Sequence, residues 1–458
     1  VTVLEQENAP GMRTSFANAG RFCPTAMAFY PLSSPAIISR VLELPLHALK
    51  NFVLRFGSMS DADETYQLVK GDMPSSIQWS YSLTLWGMVF MRNCTQSRYD
   101  KNNCLIRQLM NVSAEATNCI MDAIPGNGRS KVQWHQGNLT IDDSQTFDPN
   151  RVPGLVKAGY QASQTYTCDE CISTFPFLGS YLSQMKKATM NPMCTLTADD
   201  ASADARLFLL EVSKLCENDK NPVRFKYNTR VVDVALDGRK VDHVVLEGKE
   251  EELRADFFVF CCGPWTQSIM SQFFHSNLFI ECVRGCSLDL TGVQNGPSVA
   301  IVDKVSGALS FQVTPFHENR VRLIGMADFV KLPVSSSLEC PDGCEETLLS
   351  RAQMMLPSMT YTSKEAVWCG MRPQTPDSLP VVGKVEQFDN VFVNAGHGST
   401  GWTLASGTAA LLCCNIIQED PDASIHNRSQ AASLFHRFEV HMKDISVSRF
   451  SWWNIIFS

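Results

Sequence analysis

The segment GMRPQTPDSLPVVGKVEQFDNVFVNAGHGSTG, residues 370–401, places an arginine, an aspartate, a short apolar strand and a Gly-x-Gly-x-x-Gly turn in one stretch. Its run NVFVNA (residues 390–395) reads as a strand, and the apolar run WTLASGTAALL after the turn reads as a helix. A glycine turn that opens a helix presents unpaired backbone N–H groups, and such a terminus attracts negative charge. Gly396, Gly398 and Gly401 have the spacing of a dinucleotide fingerprint, but that fingerprint also calls for an acidic residue about 20 positions further on. Here Ile417 is followed by QEDPDAS, a polar turn, so the segment does not read as the start of a nicotinamide or adenine dinucleotide site.

Working outward, the opening residues VTVLE (Val1 to Glu5) read as a buried parallel strand that ends in an acid, the form of the second strand of a nucleotide-binding unit. The first strand, its glycine loop and its helix are then expected in the roughly 30 residues before Val1. TSFANAG (Thr14 to Gly20) is a small-residue turn of the kind that lets a backbone approach a large flat ligand.

The chain has 458 residues, 44% hydrophobic and 19% charged, enough for two cored domains. A net charge of −8 argues against a nucleic-acid binder, which shows a clustered basic face. The seventeen cysteines are scattered and read mainly as buried thiols, including the adjacent pairs Cys261/Cys262 and Cys413/Cys414. Cys168/Cys171 and Cys340/Cys344 have spacing that suits zinc or redox chemistry, but a lone pair is weak evidence; they read as solvent-facing loop cysteines, and no metal site is assigned. The stretch Ile77 to Met91 is too short to span a bilayer. Its Trp79, Leu83 and Trp86 lie at helical spacing, which favours core packing, with peripheral membrane contact as the alternative. The last eight residues, SWWNIIFS, form an apolar tail.

Helices are expected near residues 77–95 and 100–123. An amphipathic helix is expected in ASADARLFLLEVSKLCEN, with Asp204 near its start and Leu207, Leu210, Val212 and Leu215 on its apolar face. VRFKYNTRVVDVAL, GRKVDHVVLEG and ELRADFFVFCCG then read as a meander ending in a buried strand. The pattern predicts an α/β fold: a Rossmann-like nucleotide domain lacking its first βα unit, with a β-rich second domain inserted. The ranges are 1–45, 196–274 and 366–420 for the first, 46–195 and 275–365 for the second, and 421–458 for a C-terminal tail.

These pieces, taken together, resemble the D-amino-acid dehydrogenase branch of the FAD-dependent proteins that include glycine, sarcosine and D-amino-acid oxidases. The resemblance is carried in order by VTVLE, TSFANAG, MRNCTQSRY (91–99), QGNLTI (136–141), ADDASADARLF (198–208), VRGCSL (283–288), IGMAD (324–328) and residues 370–401. It implies FAD as cofactor, with Glu5 on the adenosine ribose, Thr14, Ser15, Asn18, Ala19 and Gly20 along the flavin's middle, and the main chain at Val231 or Val232 on adenine. Gly263 then lies near the pyrophosphate, preceded by Cys261 and Cys262 where family members carry small residues. Arg372 is implied to clamp the substrate carboxylate, and Gly396, His397, Gly398, Ser399, Thr400 and Gly401 to lie against the flavin ring. His397 is read as a structural or flavin-contacting residue, with catalytic base as the lesser alternative, and Asp377 as the brace of its own turn. Asp328 stands where the bacterial branch has glutamate.

The implied reaction is oxidative deamination of a D-amino acid to a 2-oxo acid and ammonia, with oxygen or a quinone as electron acceptor. A glycine- or sarcosine-type oxidase and a truncated, non-catalytic binding module are the alternatives. The compartment, cytoplasmic or organellar, stays open.

Overall fold

The computed structural model describes residues 1–25, 65–67, 76–78, 80–142, 163–187, 192–248, 251–304, 311–331, 339–437 and 442–450, with residues 152, 156 and 160. Trp79, the tail 451–458 and the boundary expected at residues 45/46 lie outside the described residues.

A mixed sheet of twelve strands dominates one half of the molecule. Its central strands, Glu281–Thr291, Arg320–Val330, Phe311–Phe316 and Ala300–Asp303, run antiparallel, and the last pairs in parallel with His135–Asp142. They are rich in Val, Ile, Leu and Phe, which suit a pleated surface covered by other elements. One face of the sheet meets the helices Cys168–Thr174, Gly179–Lys187 and Cys344–Met355, and Leu139, Leu182, Phe311, Leu323 and Leu348 are fully buried between them. Each such side chain contributes about 1.5–3 kcal/mol of burial free energy. The sheet also takes in Arg21–Phe22 and Trp368–Gln374, so it crosses the range boundaries expected from the sequence.

The other half holds smaller sheets. Thr2–Leu4 pairs in parallel with Arg224–Lys226, and Phe258–Phe260 in parallel with Val391–Ala395, whose other edge takes Val381–Lys384. The meander forms as read: Val231–Asp237, Lys240–Leu246 and Glu252–Leu253 make an antiparallel sheet. The helix Ala205–Glu217 is capped by Asp204, whose carboxylate accepts from the Arg206 and Leu207 N–H groups. Its covered face is Phe208, Val212 and Leu215; Leu207 and Leu210 are half-buried and lie outside that cluster.

Three further expectations are corrected. The opening strand is not buried: Val1 is 93% and Val3 36% exposed, because among the described residues the strand has a neighbour on one edge only. Residues 77–91 are not one helix; Ser76–Gln78 is a strand, and Ser80 then caps Tyr81–Asn93 by accepting from the Leu83 N–H. Leu83, Trp86 and Val89 of that helix are buried in the core. Cys168, Cys171 and Cys344 are buried, whereas Cys261, Cys262 and Cys413 are exposed.

The glycine turn leads into Gly401–Glu419. By length and composition alone residues 398–419 could cross a membrane. In this fold the helix lies against Gln96–Ala123, where Gly407 packs onto the Ser113 backbone and donates to the Ser113 hydroxyl at 3.0 Å.

Candidate functional site

The turn Thr14–Gly20 is fixed to the large sheet through its backbone. The carbonyls of Ala17, Asn18 and Ala19 accept from Ser287 Oγ (2.7 Å), Arg322 Nη1 (2.8 Å) and Thr314 Oγ1 (2.9 Å), and Asn18 Oδ1 accepts from the Gly20 N–H at 2.9 Å. Thr14 Oγ1 donates to the Met371 carbonyl at 2.9 Å, tying the turn to the residue before Arg372. Gly20 has φ +65°, and a Cβ there would stand 2.8 Å from both the Ala203 carbonyl oxygen and the Phe316 ring, so the position requires glycine. Behind the turn Arg322 grips Asp289 with two nitrogens, at 2.6 and 2.8 Å, and Arg320 bridges Asp289 and Asp204. Burial pushes the Asp289 carboxyl up, but the Arg322 and Arg320 guanidiniums hold it below its ordinary value. The helix cap Asp204 and the turn therefore share one charged network.

Arg372 lies on Trp368–Gln374, in register with Val283 of the neighbouring strand. Its guanidinium passes over Gly285, where any Cβ would collide with Cζ (2.5 Å), Nη1 (2.6 Å) and, closer still, Nη2. Nη1 donates to the Met326 carbonyl at 3.2 Å. Met326 has φ +66° and sits where the pairing of Glu281–Thr291 with Arg320–Val330 shifts register between Arg284 and Cys286. Bulges of this kind re-aim backbone groups beside functional sites. A guanidinium has five N–H donors, and among the described residues Arg372 has no other hydrogen bond and no ion pair. Burial lowers its pKa, yet an arginine keeps its charge in a protein. The side chain is half-buried, so it is a desolvated but accessible cation with donors to spare. Asp328, nearby, is engaged by Arg284 at 3.0 Å.

The turn after Val391–Ala395 lies beside it. Gln374 and His397 form an isolated antiparallel bridge, and the Trp86 indole donates to the Gln374 carbonyl at 2.9 Å. Gly396 (φ +74°) and Gly398 (φ +56°) face Thr375 and Gln374, where a Cβ would come within 2.7 and 2.6 Å. A 3-10 turn, Gly398–Thr400, runs into Gly401–Glu419, and neither has a side-chain N-cap bond. Ser399 is exposed, and Thr400 Oγ1 donates to the His397 carbonyl at 3.1 Å. The Thr400 N–H donates to the His397 carbonyl at 3.2 Å, while no side chain caps the N–H groups of Gly398 and Ser399, the part of the turn that suits a ligand. His397 Nε2 lies 3.0 Å from Thr408 Oγ1, and burial pushes the imidazole down to about 4, so it is neutral and held in place at pH 7.

Glu5, Val231, Val232 and Gly263 form a second group. The Glu5 carbonyl accepts from the Thr229 N–H at 2.9 Å, which sets Val231 two residues away. Val232 is exposed, and around Gly263 (φ +54°) a Cβ would meet open space. Arg13 joins the groups: its Nε donates to Glu7 at 2.7 Å and its guanidinium lies 5.5 Å from the Trp265 ring centroid. Asp377 braces its turn, accepting from the Leu379 N–H at 3.1 Å, and it is also gripped by Arg449 at 2.8 and 3.2 Å. Ile445, Val447 and Phe450, from the range read as a tail, are buried there.

The sequence therefore indicated residues that do converge: Thr14–Gly20, Arg372 and Gly396–Gly401 share one end of the site. It missed Gly285, the Met326 carbonyl, Gln374 and Arg322. Gly285 of VRGCSL, Met326 of IGMAD and Gln374 of the 370–401 segment lie in stretches that carry the resemblance, but those stretches assign them no role, and Arg322 lies outside them.

The fold matches glycine oxidase from Geobacillus kaustophilus with a TM-score of 0.58, 15% identity and coverage of 93% of this chain and 90% of that one. It also matches L-alpha-glycerophosphate oxidase from Mycoplasma pneumoniae with FAD bound, with a TM-score of 0.56, 12% identity and coverage of 90% and 88%. The chain belongs to the FAD dependent oxidoreductase (DAO) family, whose profile matches residues 1–414. In sequence it is similar to D-amino acid dehydrogenase of Neisseria meningitidis serogroup C, 27% identical over 415 residues, 90% of this chain and 88% of that one. FAD is the cofactor of this family.

Proposed function

We propose that the chain oxidises the α-amine of a D-amino acid, with Arg372 holding the substrate carboxylate beside the flavin. The observation that carries this reading is the half-buried, accessible guanidinium of Arg372, with one protein partner and the rest of its donors free among the described residues. A planar guanidinium pairs with a carboxylate through two parallel hydrogen bonds, which fixes the α-carbon as well as the charge. D-amino acid dehydrogenases among the sequence relatives give the substrate class.

The residues fit FAD. The N–H groups of Gly398 and Ser399, which no side chain caps, suit the electron-rich edge of a reduced flavin ring, and the positive-φ glycines 396 and 398 leave no side chain between ring and backbone. The Thr14–Gly20 turn suits close approach along the middle of the cofactor, and Glu5 suits a ribose diol.

Held by these residues, FAD would supply the two-electron oxidation of the substrate at its α-carbon. The protein's own part is alignment: Arg372 fixes the carboxylate, Met326 and Gly285 fix Arg372, and His397 stays neutral on Thr408. The imino acid released hydrolyses with water to the 2-oxo acid and ammonia. Arg372→Ala tests the assignment. KM for a D-amino acid should rise strongly while FAD binding is kept, and an unchanged KM would remove Arg372 from the site.

A further inference from the structure

Four cysteines that the proposed reaction does not use converge behind the strands that carry Arg372. Cys286 and Cys369 are direct partners in the antiparallel pairing of Glu281–Thr291 with Trp368–Gln374. Their Sγ atoms are 3.0 Å apart, and Cys369 Sγ is 2.7 Å from that of Cys340. The Cys286, Cys340 and Cys369 sulfurs all lie within 4.8 Å of one another. Cys344, the first residue of Cys344–Met355, is buried in the same core cluster, just outside that trio.

Thiols are weak donors and weak acceptors, so they gain little by meeting one another in an apolar core. A disulfide joins only two sulfurs; since Cys369 touches both Cys286 and Cys340, either bond would leave a buried thiol beside it. One thiophilic cation with four-fold coordination engages all of them. The spacing agrees, since Cys340 and Cys344 flank a turn through Gly343 (φ +72°), within the two-to-four-residue gap of zinc knuckles, and two neighbouring strands supply the other pair.

We propose that Cys286, Cys340, Cys344 and Cys369 form a closed structural site for one Zn²⁺ ion. Four Zn–S bonds form, the thiol protons leave to solvent, and no electron is transferred. With Zn–S bonds of about 2.3 Å, tetrahedral geometry sets the sulfurs roughly 3.8 Å apart, so Cys286, Cys340 and Cys369 open outward by about 1 Å and Cys344 turns in as the ion enters. The four thiolates and the ion carry two net negative charges. Arg284, which donates to the Glu339 carbonyl at 2.9 Å, places a positive charge next to Cys340. By strand alternation Cys286 and Cys369 lie on the opposite face from Gly285, Gly370 and Arg372, so the ion holds the strand pair from behind.

The test uses the full chain produced with added zinc, desalted and analysed for metal. One zinc per chain is expected, lost in Cys340→Ser and in Cys369→Ser and kept in Cys168→Ser. Because the serine variants could misfold, Co²⁺ is also loaded into the unaltered chain, where intense visible bands of tetrahedral cobalt–thiolate coordination are expected. A folded chain that holds far less than one zinc and shows no such bands overturns the proposal. So does an intact mass showing a disulfide between Cys369 and either Cys286 or Cys340.

Discussion

Gly285→Ala adds one methyl group at the point where Arg372 crosses the neighbouring strand. The new Cβ would stand 2.5 Å from Cζ and 2.6 Å from Nη1 of Arg372, so the guanidinium must move. The obstacle is the end of a flexible side chain and not backbone, so the fold itself should lose little. A substrate carboxylate held by two charge-assisted bonds would lose at least one of them, worth about 1.5–3 kcal/mol. At 1.36 kcal/mol per decade this is roughly a 10- to 150-fold rise in KM. The assay is steady-state oxidation of a D-amino acid by FAD-loaded protein with an artificial electron acceptor, alongside the flavin absorbance and the urea midpoint. A KM within twofold of the parent, with flavin content equal, would refute the placement of Arg372. A collapse of the fold would refute the view that the collision is local.

Other outcomes follow from the same geometry. His397 is half-buried and neutral, with a folded pKa of about 4 against an ordinary 6.5, so unfolding takes up a proton as the pH falls below 6.5. Stability should be complete above pH 6.5 and fall by at most about 3 kcal/mol as the pH drops through 4, and His397→Gln should flatten that slope in urea titrations. Gly20→Ala forces a Cβ against Ala203 and Phe316 at positive φ and should cost about 1–3 kcal/mol by chemical denaturation, with loss of flavin binding. Arg449→Ala leaves the buried Asp377 carboxylate without its cation and should cost on the order of 3 kcal/mol, seen as faster proteolysis of the chain beyond residue 420.

What the sequence revealed was local. The Val391–Ala395 strand, the glycine turn and the helix after it are set by adjacent residues, as is the Asp204 cap, and all appear where the sequence places them. What it hid depends on strands that meet only in the fold. The apolar letters of VTVLE predict a covered strand, but whether both edges find neighbours is a tertiary matter, and Val1 and Val3 are exposed. The setting of Arg372 depends on Gly285 and on a bulge at Met326, both remote in sequence and fixed by register. The cysteines show the same limit: a single pair four apart looks like a loop, and the partners Cys286 and Cys369 come from two distant strands.

The most direct measurement is anaerobic mixing of the FAD-loaded full chain with D-alanine while the visible flavin absorption is followed. Bleaching by D-alanine and not by L-alanine, abolished in Arg372→Ala at the same concentration, is the expected result. Bound flavin that stays oxidised with every D-amino acid, glycine and sarcosine would contradict amino-acid oxidation at this site.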